Sequence, residues 1–229
     1  MNDPHAQTPW YRQLAAVLAQ HMLLKSLGTM LFIAVFFGAY FFLLKNPASA
    51  VTVMPLTWPD RLIGFEPRAM ALYVSLWVYV SLPPALLATP QALFAYARAM
   101  AGTCMIGLVI FYLWPTTVPV ADIDWALYPG VDFLKTLDAG GNAFPSLHVV
   151  TAVFSGVWLQ VLLRRFDAPR WTRWLNALWC VGIVYSTLAT RQHVAVDVAA
   201  GLLLGALAAA WSLRHLLPLK SRPIKPAAL

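Results

Sequence analysis

Three side chains in this sequence have types and spacing suited to acid, base or nucleophilic chemistry: His148, His193 and Asp197. Asp197 follows His193 by four residues, so on a helix its carboxylate would sit one turn away, about 5–6 Å, on the face of the imidazole. A carboxylate placed so fixes the tautomer of an imidazole and stabilises its cationic form, the orienting role in a catalytic triad. His148 arrives within Asn142-Ala-Phe-Pro-Ser-Leu-His148. Pro145 suits a first helical position and Asn142, or a neighbour, suits the cap, so a helix is expected to begin there. Its N–H groups, the Ser146 hydroxyl and the positive end of the dipole would then make a site for an anion such as phosphate. A phosphate held there would have one histidine on each side, one neutral for attack and one protonated to serve the leaving oxygen. In-line phosphoryl transfer needs that pairing. The same two histidines and carboxylate also suit iron or zinc, or a buried polar cluster that packs three helices.

The elements that must position these residues are apolar. Of the 229 residues 60% are hydrophobic and 11% charged, and mean hydropathy is +0.67, against about 45–50% apolar and about 25% charged in soluble domains. A water-soluble globule is excluded, and 30 Phe, Trp and Tyr residues exclude a disordered chain. A net charge of +7 raises nucleic acid as a partner. The basic residues lie beside apolar runs rather than in an aromatic-interleaved patch, so no nucleic-acid partner is expected. Cys104 and Cys180 fall inside apolar runs and read as packing residues.

A bilayer core about 30 Å thick takes roughly 20 apolar helical residues. Six runs of that kind appear, at 26–44, 69–89, 95–114, 144–163, 174–190 and 194–213. The fold class expected is all-α, a polytopic six-transmembrane-helix bundle. Ahead of it, Pro9–Leu24 carries Trp10, Leu14, Val17 and Leu18 at helical spacing, an interfacial helix or a cytosolic extension of the first span. The expected organisation is a cytoplasmic or interfacial segment 1–25, a catalytic membrane domain 26–216 and a basic tail 217–229. Six spans put both termini on one side. Eleven cations fall on that side and five on the other, with seven of the nine acids opposite. The positive-inside rule makes both termini cytoplasmic, and size and composition suit a bacterial inner membrane. The long loops 45–68 and 115–143 are then outside, where elaborate loops carry function. The first of them, broken by four prolines, reads as an interfacial segment or a passive connector. His148 and His193 fall at the outer ends of the fourth and sixth runs. Asp197 sits inside a run, where a carboxylate costs about 2.5–3.5 kcal/mol and is a functional candidate. Gly201-Leu-Leu-Leu-Gly205 reads as a close-packing face for another helix. A small proton-coupled transporter would use the same intramembrane acid, but the other runs offer only Asn176, Gln160 and scattered hydroxyls as a polar path.

Pro145-Ser146-Leu147-His148, followed by Thr190-Arg191-Gln192-His193-Val194-Ala195-Val196-Asp197, resembles the type 2 phosphatidic acid phosphatase superfamily. Pro-Ser-Leu-His is closer to its inositol phosphorylceramide synthase branch than to the Pro-Ser-Gly-His of most lipid phosphatases. The resemblance implies a membrane enzyme without cofactor or metal that acts on a lipid-linked phosphate among membrane lipids. His193 would be the nucleophile that forms a phosphohistidine, Asp197 its orienting acid and His148 the proton donor. Ser146, Arg191 and Asn142 would bind the phosphate. The family pattern has a lysine, six residues, then Arg-Pro; here those positions are Gly107 and Trp114-Pro115. It has Ser-Arg ahead of the second histidine; here the pair is Ser186-Thr187. With these cations absent, Arg191 is the nearest replacement, with Arg61 and Arg68 behind it. Transfer from a phosphodiester is favoured over plain monoester hydrolysis.

Overall fold

The computed structural model describes residues 8–128 and 141–216; the expected basic tail 217–229 lies outside the described residues. The chain is mostly helical (73%), with almost no sheet. Among the described residues the helices are, in chain order, α1 (Trp10–Ala19), α2 (Met22–Lys45), α3 (Trp58–Leu62), α4 (Met70–Val74), α5 (Leu76–Ala85), α6 (Pro90–Leu113), α7 (Leu147–Arg165), α8 (Arg170–Ala189) and α9 (Ala195–Leu216). Four of them, α2, α6, α7 and α9, are long and apolar enough to cross a membrane. At 1.5 Å per residue the 24 residues of α2 and of α6 reach about 36 Å, beyond the hydrocarbon thickness.

Two of the six expected runs take a different form. The run 69–89 is a chain of pieces: a 3₁₀ turn at Pro67–Ala69, then α4, then α5. Ser75 joins the last two with right-handed helical backbone, its N–H donating to the Ala71 carbonyl at 3.1 Å. Pro83 and Pro84 lack the N–H groups the ladder needs, and the rod ends at Ala85. The run 174–190 lies within α8, which is long enough but begins with Arg170, Thr172, Arg173 and Asn176 and is less apolar than the four. The N-terminal helix also stops short of its expected end at Leu24. His21, with φ 53°, breaks the chain between α1 and α2. Helix α1 then folds against the bundle, with Val17 buried, Trp10 edge-on to Trp171, and Lys25 Nζ donating to the carbonyls of Val17 (2.6 Å) and Ala85 (2.8 Å).

Helix α7 is the centre of the bundle, packed by α5, α6, α8 and α9. The close-packing face on α9 meets it. A methyl group at Gly201 would stand 2.8 Å from the Ser146 carbonyl oxygen, and one at Gly205 would stand 2.6 Å from that of Val150. Only glycine admits a backbone so near. Asn176 and Gln160 do not line a path. Asn176 Oδ1 accepts from Tyr79 Oη at 2.6 Å, and its Nδ2 donates to the Gly156 carbonyl and to Gln160 Oε1. These groups satisfy one another across α5, α7 and α8, as polar groups in an apolar bundle must.

The loop 45–68 is no passive connector. Thr52–Val53 pairs in parallel with Thr116–Thr117, and Thr117 bridges antiparallel to Gly141. Farther along, Glu66 N–H donates to the Ala189 carbonyl at the end of α8. The loop therefore straps the end of the bundle at which α7 and α9 begin.

Candidate active site

Helix α7 begins two residues later than the proline suggests. Ser146 is its cap, with Oγ accepting from Val149 N–H at 3.3 Å, and Pro145 precedes the cap through a cis bond to Phe144. A side-chain oxygen that meets a first-turn N–H sets a helix start more firmly than a proline merely compatible with one. Asn142 is not the cap either. It takes a left-handed backbone, φ 50°, and its Nδ2 donates to the Tyr40 carbonyl on α2 at 3.1 Å. Asparagine tolerates that region better than most residues. His148 then falls in the first turn of α7, its ring stacked on Tyr73 of α4 at 3.9 Å and 17°.

His193 lies outside the helix that carries Asp197. It belongs to the turn between α8 and α9, where Gln192 and His193 both donate their N–H to the Thr187 carbonyl at 3.1 Å. Arg191 turns the chain with φ 56°. Helix α9 starts at Ala195, and Asp197 Oδ2 accepts from Val194 N–H at 3.0 Å while standing 3.6 Å from His193 Nδ1. The expected pairing is present, but a capping interaction makes it. A carboxylate at the third helical position bends back to the cap N–H, and there it meets the residue before the cap. Asp197 is fully buried. Its own carbonyl accepts from Ser146 N–H at 3.1 Å, which ties the start of α9 to the start of α7 and sets the two histidine segments side by side.

Asp60, an acid of the first long loop, organises this end of the molecule. Its Oδ1 accepts from Ala195 N–H at 2.7 Å, its Oδ2 from Thr57 N–H and Oγ1, and its carbonyl from Arg191 Nη1 at 2.8 Å. It is 4% exposed. Thr57-Trp-Pro-Asp60 has the spacing of a capping box, so the start of α3 was legible. Its reach to a helix 135 residues away was not. Tyr73 left no local signal at all.

His148, His193, Asn142, Tyr73 and Thr151 line one cavity of about 710 Å³, whose other walls are mostly apolar side chains of α2, α5 and α6, with Lys25, Thr29, Tyr40 and Tyr96 among them. Ser146, Arg191 and Asp197 stand behind its wall. Among the described residues, six buried side-chain nitrogens and oxygens have no hydrogen-bond partner. Five of them are His148 Nε2, Gln192 Nε2 and Oε1, His193 Nδ1 and Asp197 Oδ1. Buried polar atoms are nearly always paired; of these five, only His148 Nε2 and His193 Nδ1 belong to residues that line the cavity. Among the described residues no group of three or more His, Cys, Asp or Glu is gathered as a metal site would gather it. The position matching the family's lysine, Gly107, lies under the side chain of Leu147, which a methyl group there would strike.

Four apolar helices of spanning length, with the histidine pair and its buried acid held where α7 and α9 begin, have the make-up of a membrane protein with a polar site. The PAP2 superfamily model matches residues 88–219, from the residue before Thr89 and Pro90 past the end of α9. That is more than half of the chain and includes both histidines and Asp197, and the chain belongs to the PAP2 superfamily. Membership supports a phosphatase-type function, that of a phosphoric ester hydrolase in a membrane. No curated protein and no solved structure matches the chain.

Proposed function

We propose that the protein is a six-span membrane enzyme that acts on a lipid-linked phosphate ester through a phosphohistidine on His193. The observation that carries this reading is that His193 Nδ1 faces Asp197 Oδ2 at 3.6 Å while His148 lines the same cavity. With the proton of neutral His193 kept on Nδ1 toward the carboxylate, the lone pair of Nε2 is left for attack on phosphorus. The N–P bond forms, the P–O ester bond breaks, and protonated His148 gives its proton to the departing oxygen. Water or an alcohol then loses its proton to His148 and displaces His193, which restores both side chains. Asp197 stabilises the phosphoimidazolium between the two steps. Asn142, which lines the cavity, is the proposed phosphate ligand, joined by Ser146 and Arg191 once they turn from the Val149 N–H and the Asp60 carbonyl.

Transfer of a phospho-headgroup to an alcohol stands ahead of hydrolysis in this reading, as in the inositol phosphorylceramide synthase branch. Gly107, Trp114 and Thr187 stand where the phosphatase pattern has cations, and a monoanionic diester needs less positive charge than a dianionic monoester. Hydrolysis of a lipid phosphate monoester is the second reading, and the family match favours it. The charge asymmetry of the loops supports a site on the outer face, with both termini cytoplasmic. The test is incubation of the purified protein with a panel of lipid phosphates and phosphodiesters, with and without alcohol acceptors, assayed for free phosphate and for new lipids. New lipid products from diesters support transfer, and free phosphate alone returns the protein to hydrolysis. A trapped phosphoenzyme, acid-labile and base-stable, should be absent in His193→Ala. Activity in that variant within a few-fold of wild type would sink the mechanism.

A further inference from the structure

The cavity that the histidines line does not end with them. It continues along α2 past Phe36 and Phe32 to Gly28 and Lys25, with Leu76 and Val80 of α5 and Met100 of α6 on its other walls. Asn142 is bonded to the Tyr40 carbonyl, so the histidines lie at the Tyr40 end of α2. At the opposite end Lys25, also in the lining, is fastened by its two hydrogen bonds to the Val17 and Ala85 carbonyls. Fifteen helical residues separate Lys25 from Tyr40, about 22 Å at 1.5 Å per residue. The chamber is open along one side, where Leu31 and Val35 of its lining are exposed, and a polar site that continues into a long apolar groove is a binding geometry for an amphiphile.

We propose that this chamber sheathes one hydrocarbon chain of the phosphate ester, entered at His148 and His193 and floored at Lys25, and that Gly28 sets how long a chain it takes. The proposal rests on the phosphate-ester reading for its headgroup and adds the tail. An extended alkyl chain advances about 1.3 Å per carbon, from C–C bonds of about 1.5 Å at tetrahedral angles, so 22 Å holds about 17 carbons. Gly28 lines the chamber, and a methyl group built on it meets nothing within 4 Å. A first side-chain carbon there therefore displaces no protein. A larger residue also replaces a helix-interior glycine, which raises helix propensity. The section between Gly28 and Tyr40 spans about 18 Å, so closing the chamber at Gly28 shortens the accepted chain by about three carbons.

Non-hydrolysable alkyl phosphonates from 6 to 20 carbons, bound to the full-length protein in detergent, are the probe. For wild type, affinity should rise about fourfold per added carbon, the value of a buried methylene, and level off near about 17 carbons by the bond-length estimate above. In Gly28→Phe the rise should stop about three carbons earlier, and Gly28→Leu should give a smaller shift if the phenylalanine variant does not fold. Leu27→Phe, on an exposed position outside the chamber lining, should keep the wild-type profile. Equal plateaus in wild type and both Gly28 variants would overturn the proposal and mean that bulk lipid fills the chamber. Because the readout is binding, a length plateau that shifts while no phosphoenzyme forms would preserve the chain sheath and defeat the phosphohistidine. Phosphoenzyme formation with no dependence on chain length would do the reverse.

Discussion

Asp197 Oδ2 accepts from the Val194 N–H that starts α9 and stands 3.6 Å from the Nδ1 of His193, while neither that nitrogen nor Asp197 Oδ1 has a hydrogen-bond partner. Replacing it with asparagine preserves the shape and an oxygen for the cap and removes the charge that would steady a cationic imidazole. Asp197→Asn is therefore expected to fold and to lose turnover heavily. The serine-protease counterpart loses about 10⁴-fold. The check is kcat beside thermal unfolding in detergent: a melting shift of more than a few degrees with full activity in the folded fraction would make Asp197 a structural residue only. A second pair of residues explains a departure from the family pattern. Gly107, at the lysine position, lies against Leu147, at the usual glycine position of Pro-Ser-Gly-His, and a methyl group at 107 strikes the Leu147 side chain unless that side chain turns aside. The two departures are one packing solution. Gly107→Ala should cost about 1–3 kcal/mol by overpacking, and Leu147→Ala should cost its own cavity term. The double variant should be more stable than the sum of the two predicts by at least about 0.5 kcal/mol, measured as a double-mutant cycle of unfolding free energies.

At the scale of elements, the approach of α9 to α7 decides where the histidines stand. Gly201 and Gly205 face backbone carbonyls of α7 at distances no side-chain rotation can relieve. Either glycine changed to alanine must push the helices apart and carry the His193 turn away from His148. Gly201→Ala is expected to lower kcat by at least tenfold, since misplacement by about 1 Å can cost about 10²-fold, and to destabilise by about 1–3 kcal/mol. Gly102→Ala on α6, where a methyl group meets nothing within 4 Å, should match or exceed wild-type stability, because alanine is favoured over glycine within helices. Unfolding in detergent and kcat on one substrate compare the three proteins directly. The strap that carries Asp60 acts on the same junction from the other side. Its carboxylate caps Ala195 and its carbonyl holds Arg191, so a loop far away in sequence supports both flanks of His193.

For the molecule as a whole, the candidate site lies at the end of the bundle where α7 and α9 begin, and the proposed orientation puts that end outside. Substituted cysteines test the assignment once Cys104 and Cys180, both inside the bundle, are replaced by alanine. Asp122→Cys in the second long loop should react with a membrane-impermeant maleimide added to intact cells, and Arg165→Cys at the end of α7 only after the membrane is opened. The reverse pattern would place the site on the cytoplasmic face and leave the histidine chemistry untouched. Equal labelling of both positions in intact cells would mean that α7 does not separate two compartments.

Much of this was legible in one dimension because it depends on neighbours along the chain. Apolar runs of about 20 residues announce helices of spanning length, four-residue spacing brought His193 and Asp197 together, and the glycine spacing on α9 announced a close helix contact. What the tertiary structure alone decided is where local signals were used. The proline, asparagine and serine before His148 each suited a helix start, and only packing chose Ser146, sent Asn142 to the Tyr40 carbonyl and left Pro145 outside. The four-residue spacing was realised across a capping turn because Asp60 and Asp197 together satisfy the first N–H groups of α9. Tyr73 beneath His148, Leu147 over Gly107 and the chamber behind α2 depend on elements that meet only when the bundle closes. Spacing along a chain records local hydrogen bonds and periodicity, whereas the destination of a side chain is set by whichever distant surface arrives beside it.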